Sequence, residues 1–156
     1  MKIIILGAGQ VGLSMAEILS RENNDVTLID SDPRQLEGIQ DRLDLRTIVG
    51  SASHPNVLEQ AGGLDADLLL AVTNHDEVNM AACQIAYSLF RTPTKIARIR
   101  SASYLSHPDI FCDEAIPIDV IINPEEIITQ QVLRLIEYPG ALQVVDFAGG
   151  QIQLIG

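Results

Sequence analysis

Cysteine is scarce: Cys83 and Cys112 are the only two in 156 residues. Far apart and in no metal-ligand spacing, they support neither a disulfide framework nor a zinc site, and they read as buried free thiols of a reducing compartment. The histidines His54, His75 and His107 lie in separate segments without a metal-binding pair, so no metal centre is expected. Long hydrophobic runs are also missing. Apolar residues make up 47% of the chain, yet no uninterrupted stretch approaches the roughly 20 residues that a bilayer span requires, so direct membrane insertion is not expected. The apolar run after Met1-Lys2 stops at Gly7, too early for a signal peptide, so no export is expected. Positive charge is the remaining deficit. Ten Lys and Arg against 21 Asp and Glu leave a net charge of -11, which repels phosphate backbones and anionic lipid and makes nucleic acid an unsuitable partner.

What is present is alternation. Short β-rich apolar runs at Lys2 to Leu6, Val26 to Asp30, Leu45 to Val49, Asp67 to Thr73, Lys95 to Arg100 and Asp119 to Ile122 are separated by segments of helical period. This is the pattern of an α/β fold, a Rossmann-type doubly wound parallel sheet of six strands with helices on both faces. Asp32-Pro33 predicts a helix to Asp41, Ser53 caps another that starts near Pro55, and Asp76 caps a long one through Phe90 with Ala81, Ala82, Ile85, Ala86 and Leu89 toward the sheet. Asn123-Pro124 opens a helix to about Ile136 that carries more apolar side chains than one stripe needs, and Tyr138-Pro139-Gly140 ends it. Ala141 to Phe147, the turn Gly149-Gly150 and Gln151 to Ile155 read as a hairpin, which alone is marginal in water. The expected organisation is a nucleotide-binding domain over 1–123, a crossover helix over 124–138 and the start of a second, truncated subdomain over 139–156.

Gly7-Ala8-Gly9-Gln10-Val11-Gly12 is a G-x-G-x-x-G string, weak alone and strong here because it leaves the first strand and opens a helix with Val11, Met15, Ile18 and Leu19. Gly7 permits the tight turn, Gly9 lets backbone N–H groups approach a pyrophosphate, and Gly12 lets helix and strand pack closely. With Gln10 and Val11 at the helix start, where the dipole favours phosphate, these residues are the expected cofactor loop. Asp30, 18 residues past Gly12, stands where an acid accepts hydrogen bonds from the adenosine ribose. Its carboxylate repels a 2'-phosphate, and Ser31, Asp32 and Pro33 follow it in place of an arginine, so NAD is favoured over NADP. The ribose of ATP or ADP would satisfy the same acid. Thr73 and Asn74 close the fourth strand on the ligand edge, where turn and capping roles are an equal alternative. Arg98 and Arg100, two apart in a strand, share a face and need anionic partners: a bound pyrophosphate or the chain's own carboxylates. No catalytic triad, metal cluster or activated cysteine accompanies them.

With these residues, the chain resembles the RCK or KTN domains that regulate potassium transport, specifically the TrkA-type N-terminal half-domain. The markers are Ile3 to Gly12 with Asp30, Leu58-Glu59-Gln60-Ala61-Gly62 leading to Ala66-Asp67, Thr73-Asn74-His75-Asp76-Glu77-Val78-Asn79, Ile96-Ala97-Arg98-Ile99-Arg100 and Pro139-Gly140-Ala141-Leu142. The resemblance implies a non-enzymatic cytoplasmic regulatory subunit, peripheral at the inner face of the membrane. There it would bind NAD, NADH, ATP or ADP, assemble into dimers or tetramers and gate a membrane-embedded potassium transporter. It assigns phosphates to Gly7, Gly9 and Gly12, ribose to Asp30, the ligand edge to Thr73 and Asn74, and a phosphate to Arg98. Ser51 stands where the family usually carries an acid, and no role is assigned to it. The resemblance also implies a full subunit that continues past Gly156. Alternative readings are the cofactor half of an NAD-dependent oxidoreductase, which would need a catalytic His, Lys or Tyr facing the nicotinamide, and the regulatory domain of a potassium channel or efflux system.

Overall fold

Continuous apolar runs form the strands of one sheet in the computed structural model: β1 (Lys2–Leu6), β2 (Asp25–Asp30), β3 (Arg46–Val49), β4 (Leu68–Ala71), β5 (Thr94–Arg98) and β6 (Val120–Ile122). The structure describes residues 1–137, 144–147 and 152–155. Every neighbouring pair is parallel, in the order β3-β2-β1-β4-β5-β6. This is the doubly wound order, whose winding reverses between β1 and β4. All six expected strands are present, but β4 and β5 end earlier than the sequence suggests. The last register pair of β4 and β5 is Ala71 with Ala97, so Thr73 and Arg100 lie beyond the ladder.

The unbroken hydrophobicity of the strands follows from burial on both faces. Ile3 and Ile5 of β1 join Val26, Leu28, Leu70 and Val72 in one core cluster, while Ile4 and Leu6 join Leu69, Ala71 and Ala97 in the other. Helix α1 (Gln10–Arg21) covers the first cluster with Gly12 and Ala16 buried. Ile18, expected in its apolar stripe, points outward at 53% exposure. Helix α2 (Pro33–Leu36) is shorter than expected, because Glu37 is extended and Gly38 takes φ 69. Helix α3 (Pro55–Gln60) is capped by His54 without a side-chain bond. The expected cap, Ser53, instead turns its hydroxyl toward that of Ser51 at 3.0 Å.

Helix α4 (Asp76–Ile85) packs Met80, Ala82 and Cys83 on the second cluster and continues as a π-helical turn, Ala86–Phe90. The wider winding of that turn carries Leu89 off the 3.6-residue stripe, and it is exposed rather than buried. Helix α5 (Ala102–Leu105) follows β5. Lys95 is buried at the start of β5, where its Nζ meets Asp119 at 2.9 Å and the Thr92 carbonyl at 3.3 Å. Its charge is therefore paired, as a buried ammonium must be.

The chain divides into two units, Met1–Ile122 and Asn123–Gly156. In the second, the Asn123 side chain accepts the Glu126 N–H at 3.3 Å and starts helix α6 (Pro124–Glu137). Strands β7 (Val144–Phe147) and β8 (Ile152–Ile155) pair antiparallel, with Phe147 opposite Ile152. The predicted turns at Tyr138-Pro139-Gly140 and Gly149-Gly150 lie outside the described residues.

Burial pushes the Cys83 thiol up to about 12, against the attraction of the nearby Lys95 charge, and Cys112 is only half-buried. A thiol raised in the folded state favours folding below the ordinary thiol range, and that contribution is lost as pH rises from about 9 toward 12. Thiol labelling of the native protein at pH 8 is expected to modify Cys112 alone, with Cys83 reacting only in denaturant. Rapid native labelling of Cys112→Ser would contradict the buried assignment.

Candidate functional site

β1 and β4 stay paired to their carboxyl ends, with Leu6 opposite Ala71, but the helices that follow them pack on opposite faces of the sheet, which leaves a crevice above the reversal of strand order. The glycine string lines its first side. Gly7 leaves β1 at φ +99, and a Cβ there would lie 3.0 Å from the backbone N and Cα of Thr73, so the turn is pressed against the end of β4. Its N–H donates to the Ile29 carbonyl at 2.8 Å. At Gly12 a Cβ would stand 1.8 Å from the Gly7 carbonyl oxygen, and only hydrogen fits.

Gly9 contrasts with both: nothing lies within 4 Å of a Cβ built on it. It is the N-cap of α1, no side chain caps that helix, and no acid occupies the first turn. Leu13 is the first amide to reach back, to the Gly9 carbonyl at 2.8 Å. The amides of Gln10, Val11 and Gly12 therefore sit at the positive end of the helix dipole, facing a surface with room for an anion.

Asp30 closes β2 beside this loop. Its Oδ2 accepts the Ala8 N–H at 2.7 Å and its Oδ1 the Asp32 N–H at 2.8 Å. Each carboxylate oxygen keeps a lone pair for a further donor. Asp32 caps α2 by accepting the Arg34 N–H at 3.0 Å, and it also takes the Arg34 guanidinium at 2.9 Å and 2.8 Å. The Arg34 hydrogen bonds hold the Asp32 carboxyl below its usual range. The nearest arginine after Asp30 is thus already engaged by a carboxylate of its own turn.

The other side of the crevice is polar and cationic. Arg98 Nη1 donates to Asn74 Oδ1 at 3.2 Å, and Arg100 Nη2 donates to the Asn74 carbonyl. Burial, and then the like charge of Arg100, pull the Arg98 guanidinium below its usual value, against the opposing pull of Asp76. Arg98 is buried within β5, whereas Arg100 lies past its end and is exposed. The expected strand therefore holds Arg98 and not Arg100, although both guanidinium groups converge on Asn74.

Asp76 does not cap α4, which starts behind His75. Its Oδ2 reaches across to accept the Arg100 and Ser101 N–H groups at 2.9 Å and 2.8 Å. Asn79, wholly buried, bonds both Thr73 and the Arg98 carbonyl. The structure thus brings Gly7, Gly9, Gln10, Val11, Gly12, Asp30 and Thr73 to one crevice rim, and joins Asn74 to Arg98 on its far side. The sequence reading gives Asn79 no role and Asp76 only that of a helix cap. The available signal was their i, i+3 spacing on the stripe continued by Met80 and Cys83, a polar pair where apolar residues belong. Among the described residues no group of His, Cys, Asp or Glu could hold a metal ion.

Residues 3–124 match the sequence profile of the TrkA-N domain family. The chain is 59% identical over 155 residues to the Trk system potassium uptake protein TrkA of Halomonas elongata, covering 99% of this chain and 34% of that protein. It spans about a third of the length of the curated relatives it matches. Among solved structures, it is similar to the TrkA-N domain of the inner membrane protein ybaL from Escherichia coli, with a TM-score of 0.72 and 16% identity over 85% of this chain and 94% of that one. It is also similar to the GsuK channel bound to NAD, with a TM-score of 0.66 and 18% identity over 80% of this chain and 22% of that one.

The glycines give opposite expectations for stability. Gly12→Ala forces a methyl into the Gly7 carbonyl and should cost about 2 kcal/mol or more. Gly9→Ala places its methyl in open space and should cost less than about 1 kcal/mol, the loss of a tolerated N-cap. Urea unfolding of the two variants measures the difference, and equal losses would mean that the loop geometry is wrong.

Proposed function

The chain belongs to the TrkA-N domain family, and on that premise we propose that it is the nucleotide-sensing part of a regulatory subunit of a potassium uptake system, with NAD or NADH as the preferred ligand. The observation that carries this reading is the crevice between β1 and β4. Helix α1 presents uncapped amides beside Gly9, whose missing side chain leaves space, and Asp30 lies next to them with lone pairs to spare. Diphosphate and ribose hydroxyls are the groups that such a pairing recognises. Gly7, Gly9, Gln10, Val11 and Gly12 would hold the phosphates, and Asp30 the adenosine ribose. Thr73 and Asn74 would border the ligand, and Arg98 would offer a cation to its phosphates.

Selectivity against NADP has two supports. Asp30 repels a 2'-phosphate, and Arg34, the cation best placed to welcome one, is held by Asp32. ADP and ATP carry the same ribose and linked phosphates, so they fit the same rim. A solved neighbour carries NAD, and the H. elongata relative is a potassium uptake protein. Both agree with this assignment.

Regulation follows if nucleotide binds one arrangement of an oligomer more tightly than another. The population then shifts by that difference in affinity, and the motion reaches a membrane-embedded transporter. Residues 1–123 would be the sensing domain, and helix α6 the crossover to a second subdomain. Large apolar side chains along α6 are exposed, from 39% at Leu135 to 67% at Ile136. That suits a dimer or tetramer contact, with the protein working at the cytoplasmic face of the membrane. Among the described residues no helix is long and apolar enough to cross a membrane. The role is regulatory rather than catalytic, in keeping with the potassium uptake proteins it is similar to.

A thermal-shift panel of NAD, NADH, NADP, ATP and ADP tests the proposal. A ligand at a hundred times its Kd should stabilise the chain by about 2.7 kcal/mol, with NADP weakest. Asp30→Ala should weaken NAD binding at least about tenfold, because it removes a charged hydrogen-bond acceptor. No shift with any adenine nucleotide, or unchanged NAD affinity in Asp30→Ala, would refute the ribose assignment.

A further inference from the structure

Beyond the pair Ala71–Ala97, β4 and β5 part, and the backbone groups that would have continued the ladder need other partners. One buried side chain supplies them. Asn79 of α4, 0% exposed, accepts the Thr73 N–H on its Oδ1 at 3.0 Å, with the Thr73 hydroxyl at 2.7 Å from the same oxygen. Its Nδ2 donates to the Thr73 carbonyl at 3.3 Å and to the Arg98 carbonyl at 2.8 Å. These are all four bonds a carboxamide can make. Its orientation follows from its neighbours: turned over, the NH2 would face the Thr73 N–H, and the oxygen would face two carbonyls.

The same helix end holds the next stretch of chain, since Asp76 Oδ2 accepts the N–H groups of Arg100 and Ser101. Thr73 is pressed against Gly7 of the glycine loop, and Arg98 starts the guanidinium arm that reaches Asn74. The Asn79 carboxamide therefore ties the Arg98 backbone to Thr73 on the loop side of the crevice.

We propose that Asn79 is the positioning residue of the nucleotide edge: it touches no ligand, and it fixes the Arg98 backbone relative to Thr73 so that the guanidinium meets the phosphates at the right place. The inference rests on the nucleotide reading above. An apolar side chain of similar size would fill the volume but leave the Thr73 N–H and the Arg98 carbonyl without their bonds. The strand ends would separate to find water, and Arg98 would move with them.

The test is a double-mutant cycle on the 156-residue chain, with calorimetric affinities for ADP and NAD in the wild type, Asn79→Ala, Arg98→Ala and the double variant. If Asn79 acts through Arg98, Asn79→Ala weakens ADP about tenfold in the wild-type background and has little further effect once Arg98 is gone. Additive losses, or unchanged affinity in Asn79→Ala, overturn the assignment. If Asn79→Ala loses its helical circular dichroism, hydrogen exchange on the wild type decides: exchange of the Thr73 N–H should slow when ADP binds, and no slowing refutes the role. A wild-type chain that binds neither nucleotide fails the nucleotide reading itself, whereas wild-type binding with an inert Asn79 fails only this inference.

Discussion

The Gly7 carbonyl and the Cα of Gly12 are so close that no side chain can stand between them. That contact places the start of α1 directly over the carboxyl end of β1. Ile3 to Leu6 of β1 lie buried between two cores, as a strand covered on both faces must. The crevice between β1 and β4 inherits its shape from the same contact, since Gly7 is wedged against Thr73 on the neighbouring strand. Packing at the glycine loop and the room beside Gly9 are thus two results of one constraint.

Polar groups at this edge are divided between holding the protein together and facing outward. Asp30 ties the glycine loop to the turn after β2 through two backbone amides. Asn79 and Asp76 perform the equivalent task on the other side, where β4 and β5 separate. Such carboxylates and amides lose solvent on burial and recover it only in full hydrogen bonding. The rim is therefore stiff before any ligand arrives, which lowers the ordering cost of binding. Arg98 and Arg100 meet at Asn74, one on its side-chain oxygen and one on its backbone carbonyl.

Most of the fold was legible because its signals are local. Strand β1 could be bounded from Lys2 to Leu6 by its apolar run and the glycine that ends it. The glycine string named the helix that follows, and Asn123-Pro124 marked the entry to α6. Where the reading failed, a distant partner had changed the local preference. Asp76 has the composition of a cap, but the amides of Arg100 and Ser101 compete for its carboxylate. Leu89 has the right spacing for the core until a π turn rotates it outward.

What the sequence by itself determined is the layered parallel sheet, the loop at its first strand and the acid that follows its second, because each depends on residue size, periodicity and backbone freedom within a short window. Only the tertiary structure decided which side chains complete the site. Asn79 bridges residues six and nineteen positions away, and Asp32 takes Arg34 out of competition by a turn too tight for spacing alone to reveal. Hydrogen-bond partners are chosen by distance in space, and the folding of β4 against β5 sets that distance.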